Sequence, residues 1–295
     1  MRRLFALALA TTILGACAIE PAETTTTSPP STSSTGFAST TSTLPATTTS
    51  TTMLLPVGEE TPVYFFFQGY PVEPGPYVVP VARPVGDDIE DALRALLEGV
   101  TEDEAGMGLS STIPGGTSLL GVDVADGVAA VDLSRQFESG GGSLSMMGRV
   151  AQIVYTATSF DDVEAVRFLL EGVAIEFLGG EGLIIDEPQT RADYVDLTPA
   201  ILVEEPLWGS TITSPVTISG QALTDSGSVS YVLVDADGLI IAEGEIPVTP
   251  GQRSQFNTTL DMVEIPHPGL GSIIVFELTE DGAQIHVLEY PLQVG

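Results

Sequence analysis

Residues 24–52 hold 14 Thr and 7 Ser, with Pro29, Pro30 and Pro45 among them. No apolar residue recurs there at helical or strand spacing, so the tract has no face to bury. Such a composition does not offset the entropy of ordering, and a disordered linker is expected. As a flexible coil it would span roughly 30 Å end to end, and about 95 Å when fully extended. Folded structure is therefore confined to the residues that follow. These are rich enough in apolar side chains for packed cores, since the whole chain of 295 residues is 43% hydrophobic. The charge is lopsided: nine Arg and no Lys stand against 40 acidic residues, a formal net of −31. A surface this negative repels phosphate backbones, which excludes nucleic acid as a partner. The single Cys excludes an internal disulfide framework and Cys-rich metal sites, and two His leave little for His-based catalysis.

The N-terminus explains the lone Cys. Met1-Arg2-Arg3 precedes an apolar run, Leu4 to Leu14, interrupted by Thr11 and Thr12. Eleven helical residues cover roughly 16 Å, half a bilayer core, so the run is a secretory signal rather than a membrane span. Leu14-Gly15-Ala16-Cys17 resembles the bacterial lipobox. That likeness implies removal of residues 1–16 and acylation of the Cys17 thiol. Residues 17–58 would then form a lipid-anchored Thr/Ser-rich linker on the outer face of a membrane. Firm anchoring follows from acyl chains that each contribute about 0.8 kcal/mol per buried methylene.

Residues 59–190 read as an α+β module. Pro62–Phe67 and Tyr77–Arg83 have strand composition. Asp87 precedes a helix with Ile89, Ala92, Leu93, Leu96 and Leu97 at spacings of three and four, closed by Gly99. Leu119–Val124 and Val128–Leu133 flank Asp126-Gly127, a hairpin signal. A second helix is expected over Leu144–Thr158, with Met147, Val150, Ala151, Val154 and Tyr155 on its buried face. Val163–Leu170 then leads into Glu171-Gly172, expected as the final strand and turn. Pro114-Gly115-Gly116 reads as a turn, Ser134 as a cap for the segment through Phe137, and Gly140-Gly141-Gly142 as a flexible loop. No Lys follows that glycine run, so it is not a phosphate loop. The arrangement expected is two helices against one small sheet.

Gly108-Leu109-Ser110-Ser111-Thr112-Ile113-Pro114-Gly115-Gly116-Thr117, then Val122, Ala130-Val131-Asp132-Leu133-Ser134, Phe137, Ala151-Gln152-Ile153-Val154-Tyr155-Thr156, Phe160, Val163, Val166 and Glu171-Gly172 follow one another in an order that resembles the GerMN domain of sporulation and spore-germination lipoproteins. The resemblance implies a compact two-layer α+β module that works in extracytoplasmic protein–protein assembly, and it brings no catalytic residue with it.

Residues 191–295 lack a helical pattern from about 199 onward. Seven strands are expected at Ile201–Val203, Val216–Ser219, Val229–Val234, Leu239–Ala242, Ser254–Leu260, Ser272–Leu278 and Gln284–Pro291. Val229, Tyr231 and Leu233 alternate, as do Ile274, Phe276 and Leu278, and Asp237-Gly238 and Asp281-Gly282 mark hairpin turns. This is an all-β antiparallel sandwich of immunoglobulin type. Ile201-Leu202-Val203-Glu204-Glu205-Pro206, Gly209, Ser214-Pro215-Val216, Gly220-Gln221-Ala222 and Asp237-Gly238 resemble the GerM-associated immunoglobulin-like domain. That family often carries an aromatic–acidic pair where this chain has Thr224-Asp225-Ser226-Gly227. The resemblance implies an adhesion or scaffold role.

Candidate chemistry is sparse. His267 lies between Pro266 and Pro268, and His286 alternates with Ile285 and Val287 on the last strand, where it is expected to face solvent. No G-x-S-x-G elbow occurs. Asp87-Asp88, Asp161-Asp162 and Glu204-Glu205 are read as solvated pairs, since 40 acids make such pairs common. Asp235 and Asp237 open a partial calcium-loop pattern whose remaining ligands are missing, which makes them a weak calcium candidate and otherwise a hairpin turn. No catalytic residue, cofactor or other metal site is expected. The function expected is a non-enzymatic, lipid-anchored envelope protein that docks a protein partner with a basic surface. The alternative is a solute- or glycan-binding surface lipoprotein using Tyr70, Tyr77 and Trp208 as aromatic platforms. The charge divides unevenly: five Arg against 23 acids lie in 59–190, and Arg253 against 13 acids in 199–295, while the linker is nearly neutral.

Overall fold

The aromatic run at 62–67 becomes the central strand of the first sheet. The computed structural model describes residues 60–68, 75–180, 182–261 and 265–295. The signal region, Cys17, the Thr/Ser tract and Tyr70 lie outside them. Strand β1 (Thr61–Phe67) runs antiparallel to both β2 (Tyr77–Arg83) and β3 (Leu109–Ser110). Between β2 and β3 stand α1 (Ile89–Glu98) and the short α2 (Glu102–Gly106). The cap of α1 is Asp88, one residue later than expected. Its carboxylate accepts from the N–H groups of Glu90 (2.8 Å) and Asp91 (3.3 Å), and Gly99 closes the helix. Helix α2 begins with a reciprocal Thr101–Glu104 capping box, and Glu104 also takes both terminal nitrogens of Arg83 at 2.7 and 2.8 Å. Five residues are too few to show a period, which is why the sequence does not announce α2.

A second sheet follows, where only one was expected. Strands β4 (Leu119–Ala125) and β5 (Val128–Leu133) form the anticipated hairpin, with Asp126 and Gly127 at φ 51° and 77°. Both turn residues need the left-handed region, which is the reason for Asp-Gly there. Helix α3 (Ser143–Ala157) crosses over to β6 (Ala165–Leu170), which pairs parallel with β5. Glu171-Gly172 does not end the module. It turns into β7 (Val173–Ala174), and a separate hairpin follows from β8 (Phe177–Leu178) and β9 (Leu183–Ile184). The second sheet has the order β4-β5-β6-β7.

Helix α3 is buried almost all round from Met146 to Ala157, rather than on one face. Its polar residues are buried because each meets a backbone group. Strand β3 pairs only with Phe66 and Phe67, so the Tyr64 backbone needs another partner. Thr156 Oγ1 accepts from Tyr64 N–H at 3.0 Å, and Gln152 Nε2 donates to the Tyr64 carbonyl at 3.1 Å. Arg149 is 1% exposed. Its guanidinium donates to the carbonyls of Phe137 (2.5 Å), Ser139 (3.3 Å), Gly140 (3.0 Å) and Ser145 (3.2 Å), and burial pushes its pKa down. The glycine run expected as a flexible loop is thus tied to a buried cation through the Gly140 carbonyl. Ser134 makes no side-chain cap; its hydroxyl accepts instead from Ser118 N–H at 2.9 Å.

The second module is a sandwich of eight strands. One sheet holds β10 (Ile201–Glu205), β12 (Val216–Ala222) and β15 (Ser254–Leu260). The other holds β11 (Thr211–Ile212), β13 (Ser228–Val234), β14 (Ile240–Pro247), β16 (Gly269–Leu278) and β17 (Gln284–Val294), in the order β11-β17-β16-β13-β14. Strand β11 was not expected, and it pairs parallel with β17 in an otherwise antiparallel sandwich. On β16 the core is filled by Ile273 and Val275, both fully buried, while Ile274 and Leu278 are only half-buried. Phe276, from the same phase as Ile274 and Leu278, is also buried, and the register shifts between Val275 and Glu277, so period alone does not single out one core face. The α+β class followed by an all-β immunoglobulin-like sandwich is the architecture read from the sequence. Gly220 marks the closest backbone approach: a Cβ there would lie 2.0 Å from the Leu202 carbonyl oxygen, opposite the bulge between Val203 and Glu205. Backbone on both sides cannot yield cheaply. Gly220→Ala is expected to lower unfolding stability by about 2 kcal/mol or more, read from the urea midpoint.

Candidate docking surface and module junction

The two modules meet around Arg191, the first residue of a 3-10 turn (Arg191–Leu197) whose start is secured by a Thr190–Asp193 capping box. One terminal nitrogen donates to Glu204 Oε1 of β10 at 2.7 Å, and Nε donates to Thr158 Oγ1 at 2.7 Å. The other terminal nitrogen reaches the Tyr155 carbonyl and Ser159 Oγ, each at 3.1 Å. The guanidinium also lies 5.3 Å from the Tyr64 ring centroid and 5.0 Å from that of Tyr155. Burial opposes the charge, but Tyr64, Glu204 and Tyr155 outweigh it and hold the Arg191 pKa above its usual value. Glu204, read from the sequence as half of a solvated pair, is therefore a junction residue.

Trp208 completes the junction. It is 3% exposed and lies between Phe67 of the first module (5.0 Å between centroids) and Tyr290 of the second (5.8 Å). Its N–H donates to the Pro80 carbonyl at 3.2 Å, and its carbonyl accepts from Ala82 N–H at 2.9 Å, so the loop after β10 adds a bridge to β2. Among the described residues, none bonds to the indole Nε1. A ring enclosed in this way is not a sugar platform, which corrects the expectation for Trp208. Both modules lie inside one compact unit.

Two of the three acidic pairs singled out in the sequence come together. Asp87, Asp88, Asp161 and Asp162 line a cavity of about 510 Å³ with Ile89, Ser159 and Phe160. An adjoining cavity of about 270 Å³ shares Asp87, Ser159 and Phe160 and adds Glu60, Thr61, Pro62 and Gly86. Burial pushes the Glu60 carboxyl up from its ordinary range, opposed by a bond from the Thr211 backbone. Neither lining contains Arg, His or Cys. Among the described residues, no group of three or more His, Cys, Asp or Glu is placed to hold a metal ion. What the cleft offers is a negative field with a small apolar floor, suited to cationic side chains.

Asp235 is buried at the β13–β14 turn with its carboxylate committed. Oδ1 accepts from the N–H groups of Asp237 (3.1 Å) and Leu239 (2.9 Å), and Oδ2 lies 2.8 Å from His267 Nδ1. His267 Nε2 lies 3.5 Å from Asp237 Oδ2. The structure thus joins the calcium candidates to the histidine read as an isolated loop residue. The Asp235 hydrogen bond raises the His267 pKa. Burial works against the Asp235 charge, but bonds from Leu239, His267 and Asp237 hold its carboxyl below the usual range. His286, expected in solvent, turns toward Glu277, with Nε2 3.9 Å from the carboxylate. Glu277 is itself buried and accepts from the N–H groups of Asp225 (2.8 Å) and Ser226 (2.6 Å), anchoring the segment that departs from the family pattern.

Two elements escaped the sequence reading. Arg191 sits between modules, in no periodic segment. The β8–β9 hairpin did leave a signal: Ile175–Leu178 and Leu183–Ile185 flank Gly179-Gly180-Glu181-Gly182, two apolar runs about a glycine turn.

An α+β module joined through a shared junction to an immunoglobulin-like sandwich defines a two-module class of chain. Residues 62–176 match the Germane family, described as sporulation and spore germination, and residues 200–283 match Gmad2, the immunoglobulin-like domain of bacterial spore germination. The matches thus fall in order along the chain, a Germane-like segment and then a Gmad2-like segment. Among solved structures it is similar to the first GerMN domain of the sporulation protein GerM from Bacillus subtilis, at 20% identity and TM-score 0.39, over 46% of this chain and 100% of that one. It is also similar to the tandem GerMN domains of that protein, at 18% identity and TM-score 0.39, over 71% of this chain and 63% of that one. No curated protein matches the chain.

The junction predicts cooperative unfolding. In the intact chain, Trp208 fluorescence and far-ultraviolet circular dichroism should report one coincident transition. Arg191→Ala leaves Glu204 without its cation and should cost about 2–4 kcal/mol, splitting the two probes. Replacing Glu204 as well, in Arg191→Met/Glu204→Leu, should recover part of that loss. A second prediction concerns pH. With a raised folded pKa, the contribution of His267 is complete below its unfolded value of 6.5 and is lost as pH rises through the folded value. The Asp235 contribution, from a depressed pKa, is present above 3.8 and is lost as pH falls through the folded value. Between about pH 6 and 8 the wild-type melting temperature should therefore fall with rising pH, and His267→Gln should flatten that slope.

Proposed function

We propose that the chain is a non-enzymatic, lipid-anchored protein of the cell envelope whose fused modules dock a protein partner that presents a basic surface. The lipobox-like Leu14-Gly15-Ala16-Cys17 supports acylation at Cys17 and placement on the outer membrane face, with the Thr/Ser tract as the tether. No described helix is long and apolar enough to cross a membrane. The observation that carries the docking reading is the cleft in which Asp87-Asp88 and Asp161-Asp162 converge without a neutralising cation in the lining. Four carboxylates from separate segments select a partner presenting Lys or Arg, and they disfavour anionic lipid and anionic wall polymers. Both family descriptions concern sporulation and germination, and neither is a known class of enzyme. No His or Cys is among the described lining residues, and the Ser159 hydroxyl is held by the Tyr155 carbonyl and Arg191, so a Ser–His or Cys–His pair is not assembled there.

Two measurements test this reading. Cys17→Ala should release the protein from membranes and remove the acyl mass in intact-mass spectrometry; an equally membrane-bound, unmodified variant refutes the anchor. Crosslinking and capture from native membranes should recover an envelope protein in a salt-sensitive manner. Replacing Asp87, Asp88, Asp161 and Asp162 with Asn, which preserves the Asp88 cap, should weaken that capture about tenfold or more. Equal capture by the Asn variant at low and high salt removes the cleft from the interface.

A further inference from the structure

The β8–β9 hairpin exposes what a solvated hairpin hides. Phe177 and Ile184 are direct cross-strand partners, so their side chains share a face, and they are 57% and 61% exposed. On the opposite face Leu178 and Ile185 are buried, and Gly179 brings the turn against Met146 of α3. The hairpin is therefore pinned down by one face while the other is left bare. Val173, 65% exposed, adds to it from β7, the two-residue strand that ends the second sheet. Phe177 and Ile184 share one face of the hairpin, and Val173 is a further exposed apolar side chain shortly before β8. The surroundings carry more acid than base: Arg135 lies 3.5 Å from the Glu171 carboxylate and Arg167 donates to the Asp186 carbonyl at 3.5 Å, which leaves the carboxylates of Glu176, Asp186 and Glu187 as the excess. Glu171, Glu176, Asp186 and Glu187 are exposed, and residues 171–187 contain no Arg or Lys.

An apolar patch with an acidic rim is complementary to a segment in which aromatic or branched residues alternate with Lys or Arg. A second copy of this chain is a poor match, because no segment of its sequence alternates cations with apolar residues. Strand β7 pairs with β6 on one side and ends the sheet on the other, so it offers an edge for an added strand. An added strand has the period that places its apolar residues on Phe177, Ile184 and Val173 while the intervening cations reach the rim. We propose that the β7–β9 face is a docking site for an extended, basic–apolar alternating segment of the protein partner, added as a strand at the β7 edge. This rests on the docking reading above and names a second contact, apart from the acidic cleft.

The test uses the full-length protein and a labelled peptide of about twelve residues alternating Lys with Val and Phe, read by fluorescence anisotropy. Controls are the same peptide with Glu for Lys, and vesicles of neutral lipid. The wild type should bind the Lys peptide, and Phe177→Thr/Ile184→Thr should weaken binding about tenfold or more with an unchanged melting temperature. The Asp-to-Asn cleft variant measures what the cleft itself contributes to binding this cationic peptide, and on that background Phe177→Thr/Ile184→Thr should still weaken binding about tenfold. Equal binding by the Thr variant, equal binding of the Glu peptide, patch-dependent self-association in sedimentation, or patch-dependent vesicle binding overturns the assignment. If partner capture from membranes survives in the Thr variant and is lost in the cleft variant, the hairpin inference fails while the docking reading stands. Loss in both supports the two-contact surface, and capture by neither wild type nor variants removes the docking reading itself.

Discussion

The Arg191 guanidinium makes one body of two modules. Its bonds reach the end of α3 through Tyr155, Thr158 and Ser159 and the first strand of the sandwich through Glu204, while its faces lie against Tyr64 and Tyr155. Inter-domain surfaces within a chain are ordinarily polar and mobile. This one adds Trp208 between Phe67 and Tyr290, so the polar clamp is backed by aromatic packing that excludes water. The indole Nε1, bonded by none of the described residues, is consistent with that order of importance: the ring is placed for packing.

The same clamp changes how the net charge is to be understood. Cations are scarce, and the fold spends several of them internally. Arg149 is enclosed by carbonyls, Arg191 by the junction, and Arg83 by Glu104, while Arg253 donates both terminal nitrogens to the Pro199 carbonyl. Arg83 and Arg191 each take a glutamate with them, whereas Arg149 and Arg253 are held by neutral carbonyls, so few cations are left to offset the exposed carboxylates. The cleft at Asp87, Asp88, Asp161 and Asp162 is where this becomes local.

The elements that carry a period or a turn signature were legible. The strand at 61–67, the hairpin about Asp126-Gly127, α1 and most sandwich strands follow from alternation, helical spacing and Gly placement. The failures have physical causes. Helix α3 is buried all round because Gln152, Thr156 and Arg149 are paid by backbone partners distant in sequence, and no local pattern encodes such partners. Strand β16 is apolar on both faces and its register shifts between Val275 and Glu277, so the period does not single out one core face. At the candidate site, each Asp pair was visible but their convergence was not, since 74 positions separate Asp87 from Asp161. Asp235 and His267 met for the same reason: a strand pair brought the turn and the proline-flanked loop together.

Range finally separates the roles of charge and apolar surface. At physiological ionic strength, exposed charges are screened beyond about 8 Å, far less than the roughly 30 Å reach of the proposed tether. If the proposed anchor and tether hold, the acidic body is not steered from its anchor point, and its negative field acts only near contact. There it rejects anionic surfaces and orients a basic one. Residence after contact depends on interactions that salt does not screen, and on this molecule the exposed Phe177, Ile184 and Val173 are placed to supply them. The partner best matched to the surface is accordingly one whose cations and apolar residues alternate along the same segment, because a uniformly basic partner satisfies the rim and leaves the patch in water.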